Sequence, residues 1–394
     1  MHIAQISFFL DPQRRTPAQI LTDWWALVDV AEMVERCGAR VSVVQACADS
    51  RQLTQNGVHY HFVAPERGQS TITTGSGFAR LIRELEADVF HVHGLSFPED
   101  VLALAATAPG TPILLQDHAD RVPRWWRRRA RRRGMSAAAG MSFCALEQAQ
   151  PFVRAGLIRE QTELFEISEA SSRFSPGDRQ AARLETGLYG DPAILWVGHL
   201  DANKDPLTML SGVSAAAERS PGLELWCCFG QAPLLQEVHR RIADDARLSG
   251  RVHLLGKVPH ARIERLMRAA DLFALGSHRE GSGFSAIEAL ACGLPPVVTD
   301  IPSFRMLTAG GKVGALWPCG DDNELCQALL RTAARPRQEL RDAVRAHFER
   351  EISFDAIGRK LTAAYDKLIT GAALPEKEFR RGGWIARRTT SRSR

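Results

Sequence analysis

Short apolar runs alternate with longer amphipathic stretches along this chain, and the series occurs twice. Strands that alternate with helices in this way predict parallel βαβ units with a sheet buried on both faces. The first series has predicted strands at 3–10, 41–46, 58–64, 88–94, 112–116, 141–146 and 163–168. The second series has predicted strands at 193–198, 223–230, 252–256, 271–275, 295–299 and 313–317. The pattern therefore predicts two α/β domains, each with a doubly wound sheet.

Helices are predicted between these strands. The stretch 17–37 repeats apolar residues at i, i+3, i+4 and i+7 and is followed by Gly38, a suitable helix end. The second series places helices near 204–218, 232–248, 260–269, 284–292 and 321–333. A further helical segment at 335–370 has no strand of its own to follow. It is free to pack back on the domains.

The domain boundary is predicted at 170–191, where serine, glycine and proline become frequent. A chain of 394 residues is also longer than one hydrophobic core usually supports. We predict two Rossmann-like domains, at 1–175 and 176–350, that face each other across a cleft. A helix at 351–370 would pack across both domains, and a basic disordered tail would occupy 371–394. Ligands of such folds bind at the carboxyl ends of the strands, which here line the cleft.

Composition excludes several other classes of protein. The chain is 45% apolar and 24% charged, as soluble globular proteins are, and it has no uncharged apolar run of the roughly 18 residues that span a membrane. The apolar start lacks a basic lead, so we interpret it as a strand and not as a signal peptide. The eight cysteines form no C-x-x-C pair, which disfavours a structural zinc site. Most of the cysteines, among them Cys144, Cys227 and Cys228, lie in apolar runs, so we expect reduced core cysteines in a cytoplasmic protein.

Two segments carry the basic charge of the chain. Residues 121–133 hold eight arginines and no acidic residue, and 376–394 hold seven basic and two acidic residues. The arginine run is either a solvated helix face or a patch for anionic lipid head groups or an acidic acceptor. Trp125 and Trp126 beside the arginines favour a membrane interface. We expect no nucleic-acid partner, because the chain has no helix-turn-helix, zinc-finger or base-stacking pattern.

The segment 276–302 has the strongest chemical pattern. It lies in a chain with neither G-x-G-x-x-G nor a P-loop, which disfavours a standard dinucleotide site and a P-loop ATPase. Here a glycine-bearing loop runs into a predicted helix that ends at Gly293. The N–H groups at such a helix start predict an anion site suited to phosphate. Because Glu280 and Glu288 would repel phosphate, we expect them to accept hydrogen bonds from sugar or ribose hydroxyls.

The same segment resembles a known motif. E-G-S-G-F-S-A-I-E-A-L-A-C-G-L-P-P-V-V (280–298) is similar to the E-x7-E motif of retaining glycosyltransferase family 4, which has the GT-B fold. V-G-H-L-D-A-N-K (197–204) is similar to V-G-R-L-x-x-x-K of that family, and the segments at 88–94, 114–120, 252–258 and 270–275 also resemble it. The resemblance covers roughly 40–370. It implies a metal-independent hexosyltransferase that uses a nucleoside-diphosphate sugar and needs no cofactor.

Carried over by position, the resemblance implies a role for each matching residue. Lys204 would pair with the donor diphosphate, and His199 would lie beside it. Glu288 would bind the ribose hydroxyls, and Glu280 would bind hydroxyls of the transferred sugar. His118 would lie near that sugar and aid charge development at its anomeric centre. The donor loop and helix would contribute Gly281, Ser282, Gly283, Phe284, Ser285 and Ala286, with the N–H groups of 283–286 around the phosphate. The backbone near Val258 would face the base.

The chain departs from the family at two places. His199 stands where the family usually has arginine, and a neutral histidine stabilises a diphosphate less than a permanent cation does. The loop after the first strand reads Leu10-Asp11-Pro12-Gln13, where the family often has a Gly-Gly pair. The acceptor side is therefore the part that transfers least well.

His91 and His93 would share one face of a strand, but no third metal ligand accompanies them in the sequence.

The sequence thus predicts transfer of a sugar to an acceptor hydroxyl with retention of configuration. The acceptor is unknown and would be a sugar or a lipid-linked glycan in cell-surface polysaccharide or glycoconjugate synthesis. The expected location is the cytoplasm, with peripheral contact at the inner face of the membrane through 121–133. Two alternatives stay open: a GT-B phosphorylase or epimerase, and a glycosyltransferase-like binding protein without turnover. A basic protein that only binds membranes is disfavoured, because phosphate-backbone or lipid binding needs neither glutamate.

Overall fold

The computed structural model describes residues 1–373. The prediction of a disordered tail from residue 371 is wrong for its first three residues, which belong to the last helix. The rest of that predicted tail, including the basic segment 376–394, lies outside the described residues.

The first domain is built on an eight-stranded sheet in the order β3-β4-β2-β1-β5-β6-β7-β8. All neighbours are parallel except β3 and β4, which form an antiparallel hairpin at the edge. Its strands are β1 His2–Ser7, β2 Arg40–Ala46, β3 Arg51–Gln55, β4 Val58–Val63, β5 Val89–His93, β6 Ile113–Gln116, β7 Gly140–Phe143 and β8 Glu163–Glu166. The central strands are fully buried, as a sheet covered by helices on both faces requires.

The second domain is built on a parallel six-stranded sheet in the order β11-β10-β9-β12-β13-β14. Its strands are β9 Ala193–Val197, β10 Glu224–Cys228, β11 Val252–Gly256, β12 Leu272–Leu275, β13 Pro296–Thr299 and β14 Ala315–Trp317. The order is that of a dinucleotide-binding doubly wound sheet, 3-2-1-4-5-6, and β1 and β9 hold the equivalent place where the order reverses. The prediction of two Rossmann-like domains is confirmed.

Helices cover both sheets. Those of the first domain are α1 Pro17–Asp23, α2 Trp25–Arg36, α3 Ser76–Leu85, α4 Pro98–Thr107, α5 Arg128–Met135 and α6 Gln150–Arg154. Those of the second domain are α7 Arg179–Thr186, α8 Pro206–Arg219, α9 Leu235–Ala243, α10 His260–Ala269, α11 Phe284–Ala291, α12 Pro302–Leu307 and α13 Asp322–Ala333. The last two helices are α14 Arg337–Glu351 and α15 Phe354–Ala373. None of the helices within residues 1–373 has the length and apolar character needed to cross a membrane.

The last two helices connect the domains. α14 packs on α11 of the second domain, whereas α15 packs on α2 of the first. On α15, Leu361, Tyr365 and Leu368 belong to the apolar cluster on one face of the first sheet. The chain therefore crosses between the domains twice, once before β9 and once between α14 and α15.

One predicted helix needs correction. The single helix predicted at 17–37 is two helices, α1 and α2, separated at Trp24, whose ψ of 56° is not helical. The predicted linker, 170–191, contains the helix α7, which begins at an Asp178 cap. The helical segment predicted at 335–370 is divided at Ile352 and Ser353, and its second helix, α15, corresponds to the helix predicted at 351–370. Gly38 has a φ of +91°, which suits the predicted end of the α2 segment.

Candidate active site at the cleft between the domains

Four loops at the carboxyl ends of strands meet at the candidate site. The second domain contributes the loops after β9 and β12, and the first domain contributes the loops after β6 and β8. β9 lies at the point where the strand order of its sheet reverses, and this is where α/β sheets bind ligands. The site follows from the topology, because parallel strands bring all of their carboxyl ends to one edge.

The loop after β12 leads directly into α11. Gly283 precedes the helix with a φ of +75°, and no side chain caps the helix start. A Cβ atom at this position would lie 2.7 Å from Cε1 of Phe304, so glycine is required for both conformation and space. The helix thus begins with backbone alone at its positive end, which favours a bound anion.

The backbone donors of this helix start are not all available. Phe284 and Ser285 are its first residues, and 42% of the Phe284 side chain is exposed. The N–H of Ala286, however, donates to the Gly283 carbonyl over 2.9 Å. The N–H of Ala286 already has a carbonyl partner, and its predicted contact with phosphate stays a prediction.

Lys204 and Glu280 form an ion pair between the loops after β9 and β12. Both side chains are largely buried, with exposed fractions of 16% and 13%. Ser277 donates its hydroxyl to the same Glu280 oxygen over 2.6 Å. The pair brings a cation and a carboxylate to the start of α11, as a site for a phosphorylated sugar requires.

His199 lies on the loop after β9, which also carries Lys204. Its Nδ1 accepts a hydrogen bond from the Gln231 N–H over 3.1 Å, so that nitrogen carries no proton in this arrangement. The ring is exposed, and its Nε2 is the nitrogen left to donate. A neutral donor at this position can bind a phosphate oxygen but adds no charge.

Glu288 lies on the second turn of α11 and is bonded to Nε2 of His260 over 2.6 Å. Burial raises the pKa of Glu288, and the hydrogen bond and charge of His260 oppose that increase. A cavity of about 630 Å³ adjoins this carboxylate and is also lined by Phe284 and by Asp29 and Arg173 of the first domain. A cavity of this volume accommodates a ligand of nucleoside size. The half-buried side chain of Val258 packs on the core of the second domain.

His118 follows β6 and points toward Glu169, which follows β8. Its Nδ1 is hydrogen bonded to Glu169 Oε2, and 38% of its side chain stays exposed to the cleft. Burial lowers the pKa of His118, but the hydrogen bond and charge of Glu169, together with Asp117 and Asp120, outweigh burial and raise it above its usual value. The imidazole is therefore favoured as a cation at the cleft.

His93, at the end of β5, contacts the other side of this ring. Its Nδ1 lies 3.1 Å from Nε2 of His118, and burial, His91 and His118 lower its pKa well below the usual value. Neutral His93 accepts from charged His118 when its own proton is on Nε2. Within residues 1–373 no group of three or more metal-ligating side chains is placed to hold an ion. The rings of His91 and His93 stack with centroids 4.6 Å apart, and His91 Nδ1 lies 2.7 Å from the Tyr365 hydroxyl.

The first domain holds the donor loop, residues 279–283, through contacts that the sequence analysis missed. Gln148 Nε2 donates to the carbonyls of Glu280 and Gly281 over 3.1 and 2.9 Å. Arg279 donates to the carbonyls of residues 119 and 120 over 2.8 and 3.0 Å. The Ser282 hydroxyl donates to Glu169 Oε1 over 2.5 Å. No local pattern marks these residues, because their partners lie more than 100 positions away in the chain.

The loop after β1 faces the same cleft and is closed by its own side chains. Asp11 accepts hydrogen bonds from the N–H groups of Gln13 and Arg15 over 3.0 and 3.1 Å, and from the Arg15 guanidinium. In addition to Pro12, which has no N–H, two backbone donors are therefore already occupied. This loop offers few donors to a phosphate, whereas exposed Phe9 and Leu10 beside it offer apolar surface.

The geometry of the second domain agrees with a sequence-family match. Residues 191–335 match the family described as "Glycosyl transferases group 1". Over these residues the second domain is similar to the group 1 glycosyl transferases. The predicted site residues Lys204, Glu280 and Glu288 lie within the matched range. The predicted resemblance to a GT-B, family 4-like glycosyltransferase is confirmed at this level.

Curated relatives match about half of the chain. D-inositol 3-phosphate glycosyltransferases of Mycobacterium bovis and Mycobacterium tuberculosis are 32% identical to it over 219 residues. The match covers 54% of this chain, and the chain spans only 44% of the length of those relatives. The substrate in their name is therefore a property of those proteins and is not assigned to this chain.

Solved structures resemble nearly the whole chain in fold. HepE of Anabaena in complex with UDP covers 93% of this chain and 100% of its own, with a TM-score of 0.68 at 18% identity. Sucrose-phosphate synthase of Thermosynechococcus elongatus covers 94% of this chain and 99% of its own, with a TM-score of 0.67 at 18% identity. A glycosyltransferase of Rickettsia africae covers 93% and 98% of the two chains, with a TM-score of 0.70 at 12% identity. The chain has the GT-B fold.

Proposed function

We propose that this protein transfers a hexosyl group from a nucleoside-diphosphate sugar to an acceptor hydroxyl with retention of configuration. One observation carries the proposal: Lys204 and Glu280 are paired at the start of α11, while Glu288 lies on the same helix beside a cavity. The helix start and Lys204 suit the diphosphate, and the two carboxylates suit hydroxyl groups. UDP-sugars are the first donors to test, because the Anabaena structure was solved with UDP.

The residues around the pair suggest how the leaving diphosphate is stabilised. Negative charge grows on it as the glycosidic bond breaks, and preorganised donors stabilise such charge in a site without bulk water. Lys204 would exchange Glu280 for a phosphate oxygen, and Glu280 would then be free for hydroxyls of the sugar. Ser277 keeps the Glu280 carboxylate in place during this exchange. Front-face attack, with the leaving phosphate taking the acceptor proton, is the mechanism that the family resemblance implies.

Donor turnover without an acceptor is the direct test. The protein would be incubated in EDTA with UDP-, GDP-, ADP- and dTDP-sugars, and nucleoside diphosphate release would be measured. Slow release from one donor, with the retained anomer in the product, would support the proposal and its metal independence. Release that requires free phosphate would support the phosphorylase alternative. If no donor releases nucleoside diphosphate and no donor stabilises the protein thermally, the proposal is overturned in favour of a glycosyltransferase-like binding protein without turnover. The neutral His199 and the occupied loop at Asp11 are the observations that favour this second candidate.

The arginine-rich surface, residues 121–133, supports a membrane contact as part of this function. Seven of its eight arginines are exposed, and Trp125 and Trp126 are 76% and 53% exposed. The remaining arginine, Arg131, is bonded to the Leu95 carbonyl after β5 and so attaches α5 beside the cleft. We propose that this surface binds anionic lipid at the cytoplasmic face and brings a lipid-linked acceptor to the cleft, in cell-surface glycan synthesis.

Loss of arginines from this surface is expected to weaken membrane binding. Because each basic residue near an anionic surface contributes about 1 kcal/mol, replacing Arg128, Arg129 and Arg132 with alanine should weaken binding about 100-fold. Cosedimentation with vesicles containing phosphatidylglycerol measures it. The control variant removes three exposed arginines elsewhere: Arg36, Arg240 and Arg335. Equal losses in both variants, or no binding by the unmodified protein, would refute a specific surface, and retention on RNA instead would indicate a nucleic-acid partner.

A further inference from the structure

Glu169 is a buried carboxylate that joins the two domains at the candidate site. It is 7% exposed and follows β8 of the first domain. Its Oε2 accepts from Nδ1 of His118, and its Oε1 accepts from the hydroxyl of Ser282 on the donor loop. Each of its two oxygens therefore serves a different element of the site.

The donor loop packs closely against Glu169 at Gly281. A Cβ atom on Gly281 would lie 2.8 Å from Cβ of Ala119 and 3.3 Å from Oε1 of Glu169. The donor loop thus lies in close contact with both the Glu169 carboxylate and the residue after His118. A change in the position of Glu169 must move the loop, the imidazole or both.

His118 donates from both ring nitrogens when the proton of neutral His93 is on its own Nε2. Nδ1 faces a carboxylate, which only accepts, so Nδ1 carries a proton. Nε2 faces Nδ1 of His93, and His93 is held neutral by burial and by His91 and His118, which lower its pKa. Both ring nitrogens of His118 can donate at once only when the ring is a cation.

The other charged groups near His118 do not replace Glu169. Burial, then Asp120 and Glu169, raise the pKa of Asp117 to about 6, so this carboxyl loses its charge as the pH falls through 6, and among the described residues it makes no hydrogen bond to the ring. Asp120 is 3.8 Å from the Arg131 guanidinium, which offsets its charge. Arg279 contacts the carbonyls of residues 119 and 120 and adds positive charge. Glu169 is the carboxylate in direct contact with the ring.

We propose that Glu169 is a positioning residue that keeps His118 cationic and aligned while it anchors the donor loop to the first domain. The proposal rests on the proposed function only for its effect on turnover. When the loop and the first domain separate, Ser282 leaves Oε1 but His118 keeps Oε2. The carboxylate therefore places the cation and the donor loop together only while the loop is bonded to the first domain, which we call the closed arrangement. A cation there lies beside the predicted phosphate site and would favour departure of a diphosphate.

The first test measures protonation of His118 directly. Glu169→Gln fills the same volume without the charge, and ¹H–¹³C NMR of histidine rings would follow His118 in both proteins, with His118→Gln for assignment. Because the carboxylate favours the charged ring, the titration midpoint should move to lower pH in Glu169→Gln. Ser282→Ala is the matched control and should leave the midpoint in place. An unchanged midpoint in Glu169→Gln would overturn the proposal whether or not the protein turns over a donor.

The second test measures turnover and closure. In Glu169→Gln, kcat/KM for the donor is expected to fall about tenfold at pH 8, which is the effect of losing one charge-assisted hydrogen bond. The fall should be smaller at pH 6, because the His118 ring still takes up a proton there. A loss that is equal at both pH values would indicate a merely structural role and contradict the proposal. If Glu169→Gln does not fold, Ser282→Ala remains: small-angle scattering should show a more open molecule, and an unchanged radius of gyration would refute the anchoring role.

Discussion

Glu280→Ala is expected to lower kcat/KM for the sugar donor by about 1000-fold, the upper range for loss of one preorganised polar group in an active site. The carboxylate has two tasks that alanine cannot perform, since it pairs with Lys204 and would bind hydroxyls of the transferred sugar. Without it, Lys204 loses its partner and its orientation. Nucleoside diphosphate release from the preferred donor is the measurement.

The control for this prediction separates chemistry from folding. Glu339→Ala removes an exposed carboxylate in the first turn of α14 and should leave turnover unchanged. Glu280→Gln can keep the Ser277 hydrogen bond but not the charge, so an intermediate loss is expected. Full activity in Glu280→Ala with an unchanged Tm would remove Glu280 from the site.

The architecture could be predicted from the sequence because the central strands of both sheets are buried on both faces. Such strands are continuous apolar runs, and all thirteen that the pattern predicts are present within a few residues of their expected bounds. The strand that the pattern missed, β3, reads RQLTQ and is almost entirely exposed at the sheet edge. An exposed edge strand needs no apolar run, and only its pairing with β4 identifies it.

The helices that were missed have a similar physical reason. α7 is polar and lies in a segment rich in serine and glycine, so composition indicated a linker. Its packing on α10 stabilises it, and that contact joins residues about 80 positions apart. The interruption at Trp24 likewise has no glycine or proline to mark it.

The candidate site divides in the same way. The donor side was predictable because loop, helix start and both glutamates lie within one short segment, where spacing determines geometry. The first-domain side was not. Gln148 and Glu169 are single residues whose importance comes from contacts with 279–283 across the cleft. His118 was predicted from the family resemblance, but its pairing with Glu169 and His93 depends on how β5, β6 and β8 are arranged in the sheet.

Lys204→Ala is expected to lower kcat/KM about 100-fold, because a hydrogen bond between charged groups contributes about 1.5–3 kcal/mol and this one strengthens as charge grows on the diphosphate. Lys204 is the cation that directly contacts Glu280 in the described part of the chain, and His199 on the same loop adds none while neutral. The residual rate would come from the helix start after Gly283. Release of nucleoside diphosphate measures the loss.

Two further variants test whether the charge or the lysine itself matters. Lys204→Arg keeps the cation but replaces a compact ammonium with a planar group, so it should recover part of the rate. Lys312→Ala removes an exposed lysine and is the matched control, with no expected change.

Salt screens the attraction between the Lys204 ammonium and the donor diphosphate. Because Lys204→Ala lacks that ammonium, raising ionic strength should weaken donor binding more in the unmodified protein than in the variant. Equal salt dependence in the two proteins would show that Lys204 does not contact the diphosphate.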